Sequence, residues 1–297
     1  MTSSKPFPVF AFLALLSGGI AIGFAGILMR LSDVSPLASA FWRMALALPV
    51  LWAWAWMAGR QDRADGKRTG FAAVLALAGA FFAGDMGIWH LSLHYTTVAN
   101  ATLLSNFAPI FIALWMWLMH RVRFARLFMV GMAIALAGAV LLIGPGQGGG
   151  DGSGKLTGDA LGLLTAVFYG AYQLAIKDAR GRYSAARLMA WSTTVTALAL
   201  LPFALLAPGA FWPAGAAGWL PLLGLALVAQ IGGQTVIAYA FAHLPASLAS
   251  VSLLIQPLTA AIAAWLLFHE VLGPLQIAGG ALLLLGIYLS KRGSPLG

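Results

Sequence analysis

Apolar residues along this chain come in long blocks, and the polar residues between them are few. Blocks of mostly apolar residues fall at about 8–29, 36–58, 70–92, 97–119, 124–144, 158–177, 186–206, 217–241, 245–267 and 273–290. Each reaches the roughly 20 residues that a helix needs to cross a hydrocarbon core. The pattern therefore predicts ten membrane-spanning helices. The connections "HYTT" at 94–97 and "HLPA" at 243–246 are so short that the helices flanking them must run antiparallel. The roughly ten-residue alternating segments of a membrane β-barrel do not occur. The first block is too long for a signal-peptide core of about 7–15 residues and reads as a retained span.

Composition changes the picture only by strengthening it. Of 297 residues, 61% are hydrophobic and 8% charged, and the mean hydropathy is +0.90. A water-facing domain carries about 25% charged residues, so the solvent for most of this surface is a lipid bilayer. There is no cysteine, which excludes disulfides and thiolate metal sites. A net charge of +9 would suggest nucleic acid in a soluble protein, but here the charge marks orientation. With the N-terminus on one face, that face receives all of the 17 Lys and Arg residues except Arg30, Arg43 and Lys155. By the positive-inside rule it is the cytoplasmic face, with both termini inside. The expected location is a bacterial inner membrane.

The chain repeats itself. At a constant shift of 148 residues, Pro109 meets Pro257, Trp117 meets Trp265, Gly131 meets Gly279 and Gly138 meets Gly286. Upstream the shift is 149, which places Gly84 on Gly233 and His94 on His243; near the start it is 147, which places Gly23 on Gly170 and Arg30 on Lys177. Five spans per unit turn the second unit upside down. The charges follow that inversion, because "RQDRADGKR" at 60–68 corresponds to the uncharged "APGAFWPAGAAG" at 207–218. Inverted repeats are an architecture of secondary transporters, with the substrate site near the midplane between them. The expected organisation is a first repeat over 1–143, a Gly-rich periplasmic linker over 144–157 and a second, inverted repeat over 158–297.

The linker contains Gly149, Gly154 and Lys155 at phosphate-loop spacing, but Leu156 stands where Ser or Thr is required and no buried strand precedes it, so the motif fails its structural test. Eight glycines among the fifteen residues 144–158 make it a flexible joint instead.

With its duplicated five-span unit, its "SNFAPIFIALWMWLM" and "LIQPLTAAIAAWLLFHE" segments with mid-span prolines, and its "HEVLGPLQIAGGALLLLGIYL" ending, the chain resembles the drug/metabolite transporter superfamily over about residues 9–291. The resemblance is to the ten-helix branch built from two EamA-type repeats, and within it most to exporters of aromatic amino acids. Members often carry an acidic residue after the proline-bearing span; Glu270 provides it in the second repeat, whereas Val122 stands there in the first. The resemblance implies an inner-membrane exporter of amino acids, related metabolites or cationic drugs that works by alternating access.

Polar residues deep in a span are costly and usually face a cavity or another helix. Pro109 and Pro257 fall mid-span and free backbone carbonyls there, which marks them as hinges. Asn106 and Gln256 lie beside them, placed to offer an amide to a polar ligand or to a neighbouring helix. Gln230 and Gln234 lie one turn apart, with Gln234 in register with Asp85, and Trp89 follows Asp85 by one turn. Tyr169 and Gln173 form a similar stripe with Tyr172 beside it, and with Trp42 these rings are candidates to surround an aromatic or cationic substrate. Asp85 has two readings: a proton carrier, or the fixed partner of Arg43. Both residues lie seven positions from the outer end of their spans, about 10 Å deep at 1.5 Å per residue, which favours a structural ion pair. His90, His94 and His243 lie toward span ends and form no metal set. Gly19 with Gly23, and Gly158 with Gly162, have the spacing that allows close helix packing.

These features predict a cavity bounded by spans 1, 3, 4, 6, 8 and 9. A membrane enzyme would need a catalytic constellation, and neither Gly-x-Ser-x-Gly nor His-Glu-x-x-His occurs; a channel would need a filter or charge rings. The expected protein is a transporter without cofactor, taking a small-molecule substrate. A cationic-drug exporter of the same superfamily is the alternative.

Overall fold

The computed structural model describes residues 7–92, 95, 96, 98–143, 155–269 and 271–294. Among them it contains ten helices long and apolar enough to cross a membrane. They are span 1 (Val9–Arg30), span 2 (Pro36–Ala64), span 3 (Ala73–Ser92), span 4 (Ala101–His120), span 5 (Arg126–Ile143), span 6 (Leu156–Arg182), span 7 (Ala185–Leu206), span 8 (Ala216–His243), span 9 (Ala246–Phe268) and span 10 (Pro274–Arg292). The fold is an all-helical membrane fold. Large apolar side chains such as Trp56, Leu206 and Leu220 point outward and stay exposed, as a lipid-facing surface requires. Most of the expected linker, and with it the phosphate-loop-like glycines, lies outside the described residues; the helix of span 6 begins at Lys155.

Local features recur at the spacing of the sequence repeat. Span 2 starts at Ser35, whose Oγ accepts from the Ala38 N–H, and span 7 starts at Ser184, whose Oγ accepts from the Arg187 N–H. Each serine satisfies one of the amide groups that a helix start leaves unpaired. Span 4 ends at Arg121 and span 9 at His269, both left-handed with φ of 52° and 56°, and they are 148 residues apart. Both spans are also broken in the middle: span 4 at Asn106–Phe107 and span 9 at Leu253–Leu254. Pro109 and Pro257 sit within the first three positions of the second helical segment of each, where a missing amide hydrogen costs little.

Packing obeys the same exchange of halves. Span 3 packs on span 6 as span 8 packs on span 1, and span 3 on span 7 as span 8 on span 2. Span 5 packs on span 10 and span 2 on span 7, each pair mapping onto itself. At the span 5–span 10 contact, Gly138 faces Gly279 and Leu283, and Gly131 faces Gly286 and Ser290. Without side chains the backbones touch, and dispersion between close backbones holds membrane helices together. The two sequence pairs with the same spacing also pack closely: Gly19 and Gly23 on span 9, and Gly158 and Gly162 against Thr96 and span 4.

The halves are not identical. Span 1 breaks at Phe24, whereas span 6 runs unbroken. Span 8 winds as a π-helix from Leu225 to Gln234, whereas its counterpart, span 3, is regular. Such wide turns recur at functional sites.

Candidate functional site

Ten crossings place the start of span 1 and the end of span 10 on one face, here the terminal face, and the end of span 5 and the start of span 6 on the other, here the linker face. In the half nearer the linker face the spans part around a cavity of about 700 Å³. Its wall takes the second halves of spans 1, 3 and 9, the first halves of spans 2 and 4, and parts of spans 6 and 8. The half nearer the terminal face is filled, with Leu15, Leu51, Leu75, Leu188, Phe241 and Leu248 all at 0% exposure. The cavity therefore belongs to a state closed on the terminal face.

Of the residues singled out in the sequence, Asp85, Trp89, Asn106, Tyr169, Gln234 and Gln256 line this cavity, and so does Pro257. Helical geometry explains the grouping on span 3: Phe82, Asp85, Met86, Trp89 and His90 occupy one face at spacings of three and four. Gln256 Nε2 donates to the Tyr169 hydroxyl at 3.1 Å, tying span 9 to span 6 across the break. Asn106 Nδ2 donates to the Thr102 carbonyl at 2.7 Å, which also accepts from the Asn106 backbone N–H at 3.2 Å.

Five expectations are corrected. Trp42 does not reach the cavity: its Nε1 donates to the Phe211 carbonyl at 2.8 Å, and its ring packs with Phe211, Trp212 and Trp219 in an aromatic cluster at the linker face. The 207–218 loop folds back there and draws the indole away from the midplane. Tyr172 is fully buried, stacked on Phe82 at 4.4 Å, and its hydroxyl donates to Gln234 Oε1 at 3.3 Å. Gln173 is likewise buried behind the cavity wall, at 1% exposure. Of that stripe only Tyr169 lines the cavity, since Tyr172 is taken up by Phe82 and Gln234 and Gln173 is buried. Gln230 also stays out. The π-winding changes its offset from Gln234, and it instead accepts from Arg43 Nε at 3.2 Å and donates to Thr193 Oγ1 at 3.0 Å.

The fifth correction concerns Arg43 and Asp85. Both line the cavity, but no nitrogen–oxygen distance of 4.0 Å or less joins them; among the described residues the ion pairs are Arg182–Asp178 and Arg187–Asp62. Gln230 takes the guanidinium Nε and holds it on the wall. Pro109 is buried and does not line the cavity, unlike Pro257.

Some lining residues escaped the sequence reading. Span 2 contributes Ser39, Ala40 and Arg43, where the sequence had pointed to Trp42. The signal was present as Ser39 and Arg43 one turn apart. His90 lies on the wall with its Nδ1 on the Met86 carbonyl at 2.6 Å; its position near the end of span 3 concealed this. His94 lies outside the described residues, and His243 is exposed. Among the described residues no group of three His, Cys, Asp or Glu side chains is arranged for a metal ion.

Comparison with known proteins gives the fold and the site their context. The model of the EamA-like transporter family matches twice, over residues 9–144 and 156–292. An uncharacterized transporter of Archaeoglobus fulgidus is 27% identical over 292 residues, 97% of this chain and 98% of that one. A "probable terminal-alkyne amino-acid exporter" of Streptantibioticus cattleyicolor is 31% identical over 229 residues, 74% and 73% of the two chains. A pseudopaline exporter of Pseudomonas aeruginosa is 27% identical over 214 residues, 70% and 73% of the two chains. One solved crystal structure superimposes with a TM-score of 0.75 at 18% identity, covering 96% of this chain and 97% of that one, which shows the shared fold. Two successive family matches on one ten-span chain leave one conclusion: this protein belongs to the EamA-like transporter family.

Proposed function

We propose that the protein is a secondary transporter of the inner membrane that exports amino acids, aromatic ones among them, or related small metabolites by alternating access. In this reading the termini are cytoplasmic, and residues 144–157 join two inverted repeats over 1–143 and 158–297. One observation carries the proposal: a cavity of about 700 Å³ between the two halves, closed on one face, with polar groups set into an aromatic and aliphatic wall. Small-molecule sites are of this kind, about 300–1,000 Å³ and mostly apolar with a few placed polar groups. The names of an amino-acid exporter and a pseudopaline exporter among the relatives point to the same substrate range. Trp89 and Tyr169 supply rings for an aromatic side chain. The broken spans 4 and 9, with Pro109 and Pro257 beside the breaks, provide hinges. Asp85 and the aromatic wall also suit a cationic drug; the guanidinium of Arg43 on the same wall opposes a purely cationic ligand, and this reading ranks second.

The test is uptake of labelled tryptophan and phenylalanine into proteoliposomes, with and without an imposed proton gradient. Saturable uptake above that of empty liposomes is expected. Uptake of neither amino acid would remove the aromatic substrate and move the search to other metabolites. Accumulation driven by the gradient, and lost in Asp85→Asn, would assign coupling to that carboxylate.

A further inference from the structure

The cavity wall holds opposite charges that are not spent on each other. Arg43 is 6% exposed. Its Nε is committed to Gln230 Oε1, which Thr193 holds in turn. The Phe82 ring lies 5.7 Å beneath the guanidinium and is itself stacked on Tyr172. Among the described residues the Arg43 Nη2 meets no acceptor. One turn earlier on the same face, Ser39 is 1% exposed and its Oγ also lacks a partner among the described residues. Across the wall, Asp85 accepts no hydrogen bond from any described residue.

Two opposite charges on the wall of a low-dielectric cavity each attract a complement, and leaving either unpaired is costly. A cation alone would satisfy Asp85 and meet repulsion from Arg43; an anion alone would do the reverse. A ligand carrying both charges on groups attached to one carbon satisfies both. We propose that the cavity binds its substrate by the zwitterionic head of an α-amino acid, with the carboxylate on Arg43 Nη2 and Ser39 Oγ and the ammonium on Asp85. The substrate side chain then lies toward Trp89 and Met86. Arg30, at the linker-face end of span 1 with its guanidinium 4.3 Å over the Phe268 ring, and His90, whose Nδ1 lies 2.6 Å from the Met86 carbonyl oxygen, are the other basic groups on the wall. This assignment rests on the amino-acid exporter reading and adds to it which atoms select the substrate.

The experiment begins with counterflow of each proteinogenic amino acid in proteoliposomes of the full chain. The one giving the largest signal is then competed with its decarboxylated amine and with its deamino acid, each smaller than the parent and lacking one charge. The unsubstituted protein is expected to prefer the zwitterion over both by about 10- to 150-fold, the range for a hydrogen bond to a charged group. Arg43→Gln and Ser39→Ala should erode the preference over the amine while leaving the preference over the deamino acid. Asp85→Asn should do the opposite. Should Arg43→Gln fail to fold, the two analogues on the unsubstituted protein together with Asp85→Asn still decide the matter. Transport of an amino acid with both analogues competing as well as the parent overturns the head-group assignment and leaves the exporter reading standing. No amino acid transported overturns both.

Discussion

A single methyl group at the span 5–span 10 contact tests whether backbone proximity holds the two halves together. A Cβ added at Gly138 would lie 2.4 Å from the Leu283 nitrogen, 2.7 Å from the Gly279 oxygen and 2.8 Å from the Leu283 Cα. All three are backbone atoms, so no side chain can swing away, and ordinary contact begins near 3.4 Å. Gly138→Ala must therefore push the helices apart by about 1 Å, and overpacking of this kind costs about 1–3 kcal/mol. At about 2–4 °C of Tm per kcal/mol, the variant should melt about 2–12 °C lower in detergent. Gly87→Ala is the control, because nothing lies within 4 Å of a Cβ there and Ala is favoured over Gly in a helix by about 1 kcal/mol. Fluorescence-detected thermal unfolding of both variants reads the contrast directly. Since neither glycine lines the cavity, substrate affinity of the folded Gly138→Ala protein should be unchanged. Equal melting temperatures for the two variants would refute the argument that backbone contact fixes this interface.

Two further contrasts separate cavity from scaffold. Tyr169→Phe removes the hydroxyl that receives Gln256 inside the cavity, and it should weaken substrate affinity in a binding assay. Tyr172→Phe removes a hydroxyl bonded to Gln234 behind the wall and should cost about 0.6 kcal/mol of stability, the average for interhelical hydrogen bonds, with affinity intact. Trp42→Ala dissolves the linker-face aromatic cluster and should lower the melting temperature while leaving substrate affinity unchanged, as measured on the folded fraction.

The ten spans were legible because burial in lipid demands long apolar blocks, and the repeat because Pro, Trp and Gly positions kept their order at a near-constant shift. The cavity was legible where a polar residue stands alone on an apolar face, as with Asp85, Asn106, Gln234 and Gln256. It was not legible for Trp42 or Tyr172, since an aromatic ring suits a cavity, a core and a lipid surface equally well, and only the neighbouring chain decides. The Arg43–Asp85 pair failed for a different reason. Depth along two helices gives height in the membrane but not rotation about either axis, and the rotation gave Arg43 to Gln230. The π-segment of span 8 left no mark in the apolar pattern, so the divergence of Gln230 from Gln234 could not be foreseen.

The proposed alternating access between two inverted repeats also says what the opposite state should look like. On the terminal face, Lys177 Nζ donates to the Leu244 carbonyl at 2.8 Å and Arg180 Nε to the Ala238 carbonyl at 3.0 Å. Both bonds fasten span 6 to the C-terminal segment of span 8; the Leu244 carbonyl lies just past the end of that helix, where carbonyls lack an intrahelical partner and favour a cation, and the Ala238 carbonyl lies within it. Exchange of the halves carries Lys177 to Arg30 and Leu244 to Tyr95, at the linker-face ends of spans 1 and 3. The described state thus has its terminal-face latch engaged while the cavity opens on the other half. Removing the latch with Lys177→Met forfeits a charge-assisted hydrogen bond of about 1.5–3 kcal/mol, which shifts a two-state ratio about 10- to 150-fold. Because the chain has no cysteine, the shift can be read with single substitutions at a repeat-related pair: Ala260→Cys on the cavity wall and Ile112→Cys, 0% exposed on the closed side. An impermeant maleimide should label Ala260→Cys faster in the parent and more slowly once Lys177 is replaced, while labelling at Ile112→Cys rises. A rise at both sites together would mean only that the fold had loosened, and unchanged rates at both would show that Lys177 does not hold this state closed.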